Sequence, residues 1–173
     1  MRTRWRVAVF LSVWVGSGCG YHVAGHADLL PRNIKTIAVP AFTNLTTRYQ
    51  LARLLPEDIT REFLSRTRYR VVADPAQADA VLNGSVVNFV ALPTTFDPAT
   101  GRATGVQAVV TLQLRLTDRA TGAALFNRPG VEFRQPYEIS IDPEKYFDES
   151  STAMIRLSQD VARSVVSAVL ENF

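Results

Sequence analysis

The spacing of apolar residues changes along the chain, and each change marks an element. Ile34, Ile37 and Val39 make residues 33–40 a first strand, which Pro40 ends because it has no N–H to pair. A polar turn region, residues 41–47, follows. Leu51, Leu54, Leu55, Ile59 and Phe63 then recur at spacings of three and four, the stripe of an amphipathic helix. Pro56 leaves two starts open. The helix begins at Pro56, with Glu57 and Asp58 favoured by the unpaired amides of a first turn. Alternatively it begins near Tyr49, and Pro56 kinks it by removing one internal hydrogen bond. The stripe already runs through Leu51 and Leu55, which favours the longer helix.

Residues 69–72 (Tyr69-Arg70-Val71-Val72) are a short strand, punctuated by Asp74-Pro75. Residues 80–92 follow as a strand, with Val86, Val87, Phe89 and Val90 outweighing the weak strand formers Asn83, Gly84 and Asn88. Asp97-Pro98 and two glycines make residues 93–105 a loop. Residues 106–117 carry the clearest period. Val106, Ala108, Val110, Leu112, Leu114 and Leu116 share one face, and Gln107, Thr111, Gln113, Arg115 and Thr117 the other. That alternation describes a sheet with one buried and one polar face. A tight connection at Thr121-Gly122 leads to a return strand, residues 123–127. Pro129-Gly130 interrupts it, and residues 131–141 continue extended, with Pro136 as a breaker. Met154, Leu157, Val161, Val165 and Ala168, broadened by Ile155, Ala162 and Val169, make residues 148–170 a terminal helix. The fold class expected is α+β, with two helices packed on one face of a largely antiparallel four- or five-stranded sheet.

The first 18 residues stand apart. Arg2, Arg4 and Arg6 precede a nine-residue, mostly apolar stretch from Val7 to Val15. At about 1.5 Å per residue it is too short to span a bilayer core of roughly 30 Å. Gly16, Ser17 and Gly18 follow, then Cys19. These are the parts of an export signal. Residues 1–18 are therefore expected to be a signal peptide, 19–33 a lipidated lead-in, and 34–173 a single α/β sandwich domain.

This changes what composition means. The chain of 173 residues has 19 Lys+Arg, 16 Asp+Glu and a net charge of +3. The three leader arginines supply the whole surplus, so 16 basic and 16 acidic residues remain after them. The basicity is an export feature and gives no support to nucleic-acid binding. A hydrophobic content of 47% excludes global disorder. A single cysteine excludes an internal disulfide and any multi-cysteine metal site.

Little in the sequence points to catalysis. His22 and His26 lack the intervening Glu of a zinc-protease helix, and no serine sits in a Gly-x-Ser-x-Gly elbow. The acid pairs Glu57/Asp58 and Asp148/Glu149 suit helix first turns. No catalytic residue, metal site or soluble cofactor is expected. Arg115 projects from the polar face of the strongest strand, with Arg119 in the adjoining turn and Arg128 and Arg134 beyond. Arginine grips phosphate through two parallel donors, so Arg115, Arg119 and Arg134 are candidates for binding an anionic amphiphile. The plain alternative is a solvated sheet face with ordinary surface arginines. Arg66 is expected to end the first helix, where a positive charge is favourable.

Gly16 to Cys19 resembles a bacterial lipobox, with Gly16 where the common pattern has an aliphatic residue. The resemblance implies that Cys19 carries a diacylglyceryl and an N-acyl group, and Gly20 after it favours sorting to the outer membrane. Cys19-Gly20-Tyr21-His22 resembles the mature start of the LPS-assembly lipoprotein family (LptE). Ile34-x-x-Ile37-Ala38-Val39-Pro40-x-Phe42-x-Asn44 resembles its first strand and turn, and Phe63-Leu64 through Tyr69-Arg70-Val71-Val72 the end of its first helix and next strand. Asp79-Ala80-Val81-Leu82-Asn83-Gly84 is similar to the entry of its following strand. The resemblance implies a non-enzymatic outer-membrane lipoprotein on the periplasmic side. It would plug a large β-barrel partner, assist its assembly and bind lipopolysaccharide. The competing function is a periplasm-facing accessory or binding module of a secretion or other envelope complex, since some such families share an Ala-Val-Pro-x-Phe-x-Asn strand.

Overall fold

The computed structural model describes residues 30–139 and 143–171, with side chains throughout except at 143–150. The element order is β1 (Thr36–Ala38), β2 (Thr43–Asn44), α1 (Tyr49–Arg66), β3 (Arg70–Val72), a 3-10 turn (Pro75–Gln77), β4 (Ala80–Phe96), β5 (Ala103–Asp118), β6 (Ala124–Glu138) and α2 (Pro143–Glu171). The strands form one six-stranded sheet in the order β3-β1-β4-β5-β6, with the two-residue β2 added beside β4. The long strands β4, β5 and β6 are antiparallel, whereas β1 runs parallel to β3 and β4, and β2 parallel to β4. Both helices lie on one face. The α+β class is as expected, with β2 drawn from the anticipated turn region.

The core follows from the two periods. Leu51, Leu55, Ile59 and Phe63 of α1 are fully buried, as are Leu157, Val161, Val166 and Val169 of α2. They meet Leu82 and Val86 of β4 and Val110, Leu112 and Leu116 of β5 in one cluster. Each such side chain contributes roughly 1.5–3 kcal/mol by leaving water. Leu30 and Ile34 join the same cluster, so packing begins before β1. In α2, Ile155 points outward and Val166 takes a buried place instead.

Three expectations need correction. Residues 93–105 are not one loop. Pro93 pairs with Val106, Thr95 with Gly105 and Phe96 with Ala103, so the connection shrinks to residues 97–102. Threonine and phenylalanine are strand formers, and Gly105 lets Thr95 approach, since a Cβ there would lie 2.9 Å from the Thr95 hydroxyl. The two extended segments near the C-terminal end are one strand, β6. Leu114 pairs with Arg128 and Leu112 with Val131, leaving Pro129 and Gly130 opposite Gln113 as a bulge; on an edge strand a bulge accommodates proline without ending the pairing. Finally, the acid pairs are not in first turns: α1 starts at Tyr49, as expected for the longer helix, with Pro56 buried inside it. Glu57 and Asp58 are therefore interior residues rather than first-turn acids, and α2 starts five residues before Asp148.

Candidate functional site

Two local devices hold the sheet in place. Phe42, just before β2, is buried and lies against Gly84 of β4, so that a Cβ at Gly84 would come within 2.4 Å of its ring. Asp79, just before β4, accepts hydrogen bonds from the Lys35 N–H at 2.9 Å, the Thr36 N–H at 2.9 Å and the Thr36 hydroxyl at 2.8 Å. The Asp79 N–H donates back to Thr36. This exchange fastens β1 to β4. The Lys35 amide first, then the Thr36 hydroxyl and amide, hold the Asp79 carboxyl below the ordinary carboxylate range. Asp97 and Asp118 are lowered too, chiefly by the amides of Thr100 and Thr121 in their turns.

Lowered carboxyls bind fewer protons in the folded state than in the unfolded chain. Stability should therefore be complete above roughly pH 4 and fall as acid titrates these groups through their lowered values. Asp79→Asn should unfold more easily at pH 7 and show a shallower loss of stability as pH falls below about 4. Urea unfolding across that range measures both; an unchanged slope would remove Asp79 from the linkage.

Between the helices, buried Asp58 accepts the Ser158 hydroxyl at 2.6 Å and pairs with Arg61 at 2.6 Å. At the end of α1, Arg66 bonds Glu62 at 3.1 Å and the Ser167 hydroxyl at 2.9 Å. Arg66 thus ends its helix as expected and also pins α1 to α2. The periodicity of α1 hid Asp58, because a carboxylate on the apolar side reads as an exception until its partner on another helix is known.

The helix-free face of the sheet is the candidate surface. Across it run the rows Asn83–Arg115–Asn127, Asn88–Thr111–Glu132, Val90–Val109–Arg134 and Leu92–Gln107–Pro136. Arg115 sits exposed in the middle strand with an amide side chain on each side. It borders a shallow groove of about 300 Å³ shared with Ser85, Gln113 and Arg128. Its guanidinium makes no ion pair or hydrogen bond among the described residues.

The other predicted arginines are differently placed. Arg134 is six residues away along the row register, roughly 20 Å, and pairs with Glu132 at 3.2 Å. Arg119 lies beyond β5, where its Nε donates to the Ala78 carbonyl at 2.7 Å. Arg128 stands over the Phe126 ring at 5.1 Å. The three candidates thus do not form one cluster. Cys19, His22 and His26 lie outside the described residues. Among the described residues no group of three or more His, Cys, Asp or Glu side chains could hold a metal ion.

The class the structure defines is an α+β domain, two helices packed on one face of a mostly antiparallel sheet whose other face is open. The same fold occurs in a candidate lipoprotein from Caulobacter crescentus, 16% identical, with a TM-score of 0.55 over 78% of this chain and 88% of that one. It occurs in PelC from Paraburkholderia phytofirmans, solved as a dodecamer, 16% identical, with a TM-score of 0.52 over 79% of this chain and 88% of that one. A protein from Xanthomonas campestris is 14% identical, with a TM-score of 0.54 over 79% and 84% of the two chains. At such identities the likeness is one of fold. No curated protein matches the chain in sequence. The model of the lipopolysaccharide-assembly family LptE matches residues 34–169, and the chain belongs to that family. Its members are non-catalytic, lipid-anchored lipoproteins of the outer membrane that face the periplasm.

Proposed function

We propose that the protein plugs and helps assemble a large outer-membrane β-barrel that delivers lipopolysaccharide to the outer leaflet, and that it contacts lipopolysaccharide itself. The family match over residues 34–169 carries this proposal. The open face around Arg115 agrees with it: Asn83, Asn127, Asn88, Thr111 and an arginine without an ion pair can meet a water-lined barrel wall. Cys19 would hold the protein to the membrane through diacylglyceryl and N-acyl chains. Residues 1–18 would be the leader removed before it, residues 19–33 the tether, and residues 34–173 the plug.

Purification of the full lipoprotein in mild detergent should bring down a large, heat-modifiable barrel in stoichiometric amount. A secretion-ring protein in its place, or a ring of copies of the lipoprotein alone, would overturn the proposal. Among the arginines, Arg115 is the strongest lipopolysaccharide candidate because Arg119 and Arg134 already have partners. Losing one charge-assisted contact of about 1.5–3 kcal/mol should weaken lipopolysaccharide binding by Arg115→Ala roughly tenfold or more. Its thermal stability should stay unchanged, because the side chain is exposed. Equal binding by the variant would remove Arg115 from the site.

A further inference from the structure

The two long edges of the sheet differ in charge, although β4 too has a proline and register shifts, at Val86/Asn88 and from Pro93 to Phe96. β6 carries Arg128, Glu132, Arg134 and Glu138, two prolines and a bulge. Those are the devices that keep a strand edge from pairing with another chain. β4 has no ionisable side chain in its 17 residues. Its inner side pairs with β5 along the whole length. Its outer side pairs with β1 only at Ala80 and Val81, and with β2 only at Ser85 and Val86. The Leu45 N–H then donates to the Val86 carbonyl at 2.9 Å, and the chain leaves the sheet for α1. Beyond that point no described strand covers the outer side of β4.

We propose that this edge, residues 88–92, is a strand-addition site for an extended, uncharged segment of a partner protein. Backbone N–H and C=O groups directed away from β5 on this exposed edge are open to pairing, and an added strand would meet them in register. β2 already occupies the same line as a short parallel strand, so the incoming segment takes up the path that β2 leaves. Pro93, which has no N–H, sets the far limit of the site.

The flanking side chains state the partner's chemistry. Val90 and Leu92 are 38% and 48% exposed and share the open face with Val109. Leu45 and Tyr49, near the point where β2 departs, are 69% and 76% exposed. Phe89 shows its ring to the Arg48 guanidinium at 5.2 Å. On the open face, a neutral strand with apolar residues at alternate positions fits Val90 and Leu92, whereas on the other face Arg48 already lies over the Phe89 ring. The site is separate from Arg115 and does not depend on lipopolysaccharide binding.

Hydrogen exchange on the full-length protein in mild detergent tests the proposal, with the capped peptide Thr-Val-Thr-Val-Thr-Val-Thr as probe. The peptide should slow exchange in residues 88–92 and leave β6 unchanged. Val90→Lys and, separately, Leu92→Lys should weaken its binding at least tenfold, with thermal unfolding confirming that each variant is folded. A peptide N-methylated at alternate residues keeps the side chains and loses donors along one edge, so it should fail to protect. Protection by the methylated peptide would reduce the site to an apolar patch and overturn strand addition. So would protection at β6, equal binding by both lysine variants, or a concentration-dependent dimer that already protects residues 88–92.

Discussion

Gly84→Val should lower the unfolding free energy by about 3 kcal/mol, at the upper end for overpacking a filled core. In a domain of this size that corresponds to a fall of roughly 10 °C in melting temperature. Gly84 shares the helix-covered face with Leu114, and the ring of Phe42 occupies the space where its side chain would stand. A Cβ alone meets three ring atoms at 2.4–2.6 Å. The ring is only 6% exposed, so it cannot swing into solvent without uncovering core, and valine adds two further methyl groups. Displacing Phe42 also displaces β2, which pairs with Ser85 and Val86 immediately beyond Gly84. Gly84→Ala should show a smaller loss in the same direction, and Phe42→Leu combined with Gly84→Ala should recover part of it. Thermal unfolding of the three variants measures the effect. Equal melting temperatures for Gly84→Val and the parent would mean that the ring is not wedged against this glycine.

Phe42 and Gly84 also show where the sequence was legible. Each belongs to a short motif, Pro-x-Phe-x-Asn and Asn-Gly, that could be quoted without knowing why its residues occur. Their contact, 42 residues apart, supplies the reason: one residue must be flat and large, the other must lack a Cβ. The faces of β5 could be read directly because alternation persists from Val106 to Leu116, and a one-residue slip would reverse every side chain. Both helices could be read for the same kind of reason. The distal end of β4 could not. Pro93, Asp97-Pro98, Gly101 and Gly105 have the composition of a loop, and strand pairing with β5 overrides it through Phe96. Nor could the parallel pairing of β1 with β3 and β4 be read, since three-residue strands contain no register information of their own. At the candidate site the sequence placed Arg115 on the correct face. It could not show that Arg119 is engaged by a backbone carbonyl, or that Arg134 is balanced by Glu132, because both depend on neighbours brought near by folding.

Exchanging the leader and Cys19 for a conventionally cleaved leader followed by Cys19→Ala should move more than nine-tenths of the protein, on the order expected for losing two or more acyl chains, from the membrane to the soluble periplasmic fraction. Each buried methylene contributes about 0.8 kcal/mol, yet one acyl chain alone binds only marginally and reversibly, so stable attachment needs at least two chains or a chain plus a basic patch. The chain beyond residue 18 has 16 basic and 16 acidic residues and therefore lacks the net positive charge that would supply the second signal. No helix among the described residues is long and apolar enough to cross a membrane. The lipid proposed on Cys19 would then supply the main hold on the bilayer, and retention that survives its loss would come from the protein partner or from lipopolysaccharide contact. Fractionation in cells depleted of the proposed barrel separates the two contributions. The altered protein should be soluble there, and its melting temperature should match the parent's, because the described residues from Leu30 onward form a packed core of their own. Intact mass of the membrane-extracted parent should exceed that of residues 19–173 by the diacylglyceryl and N-acyl groups, and the variant should show no such excess. Continued membrane association of the unacylated protein without the barrel would mean that the domain itself binds lipid, and the anchoring role assigned to Cys19 would fall.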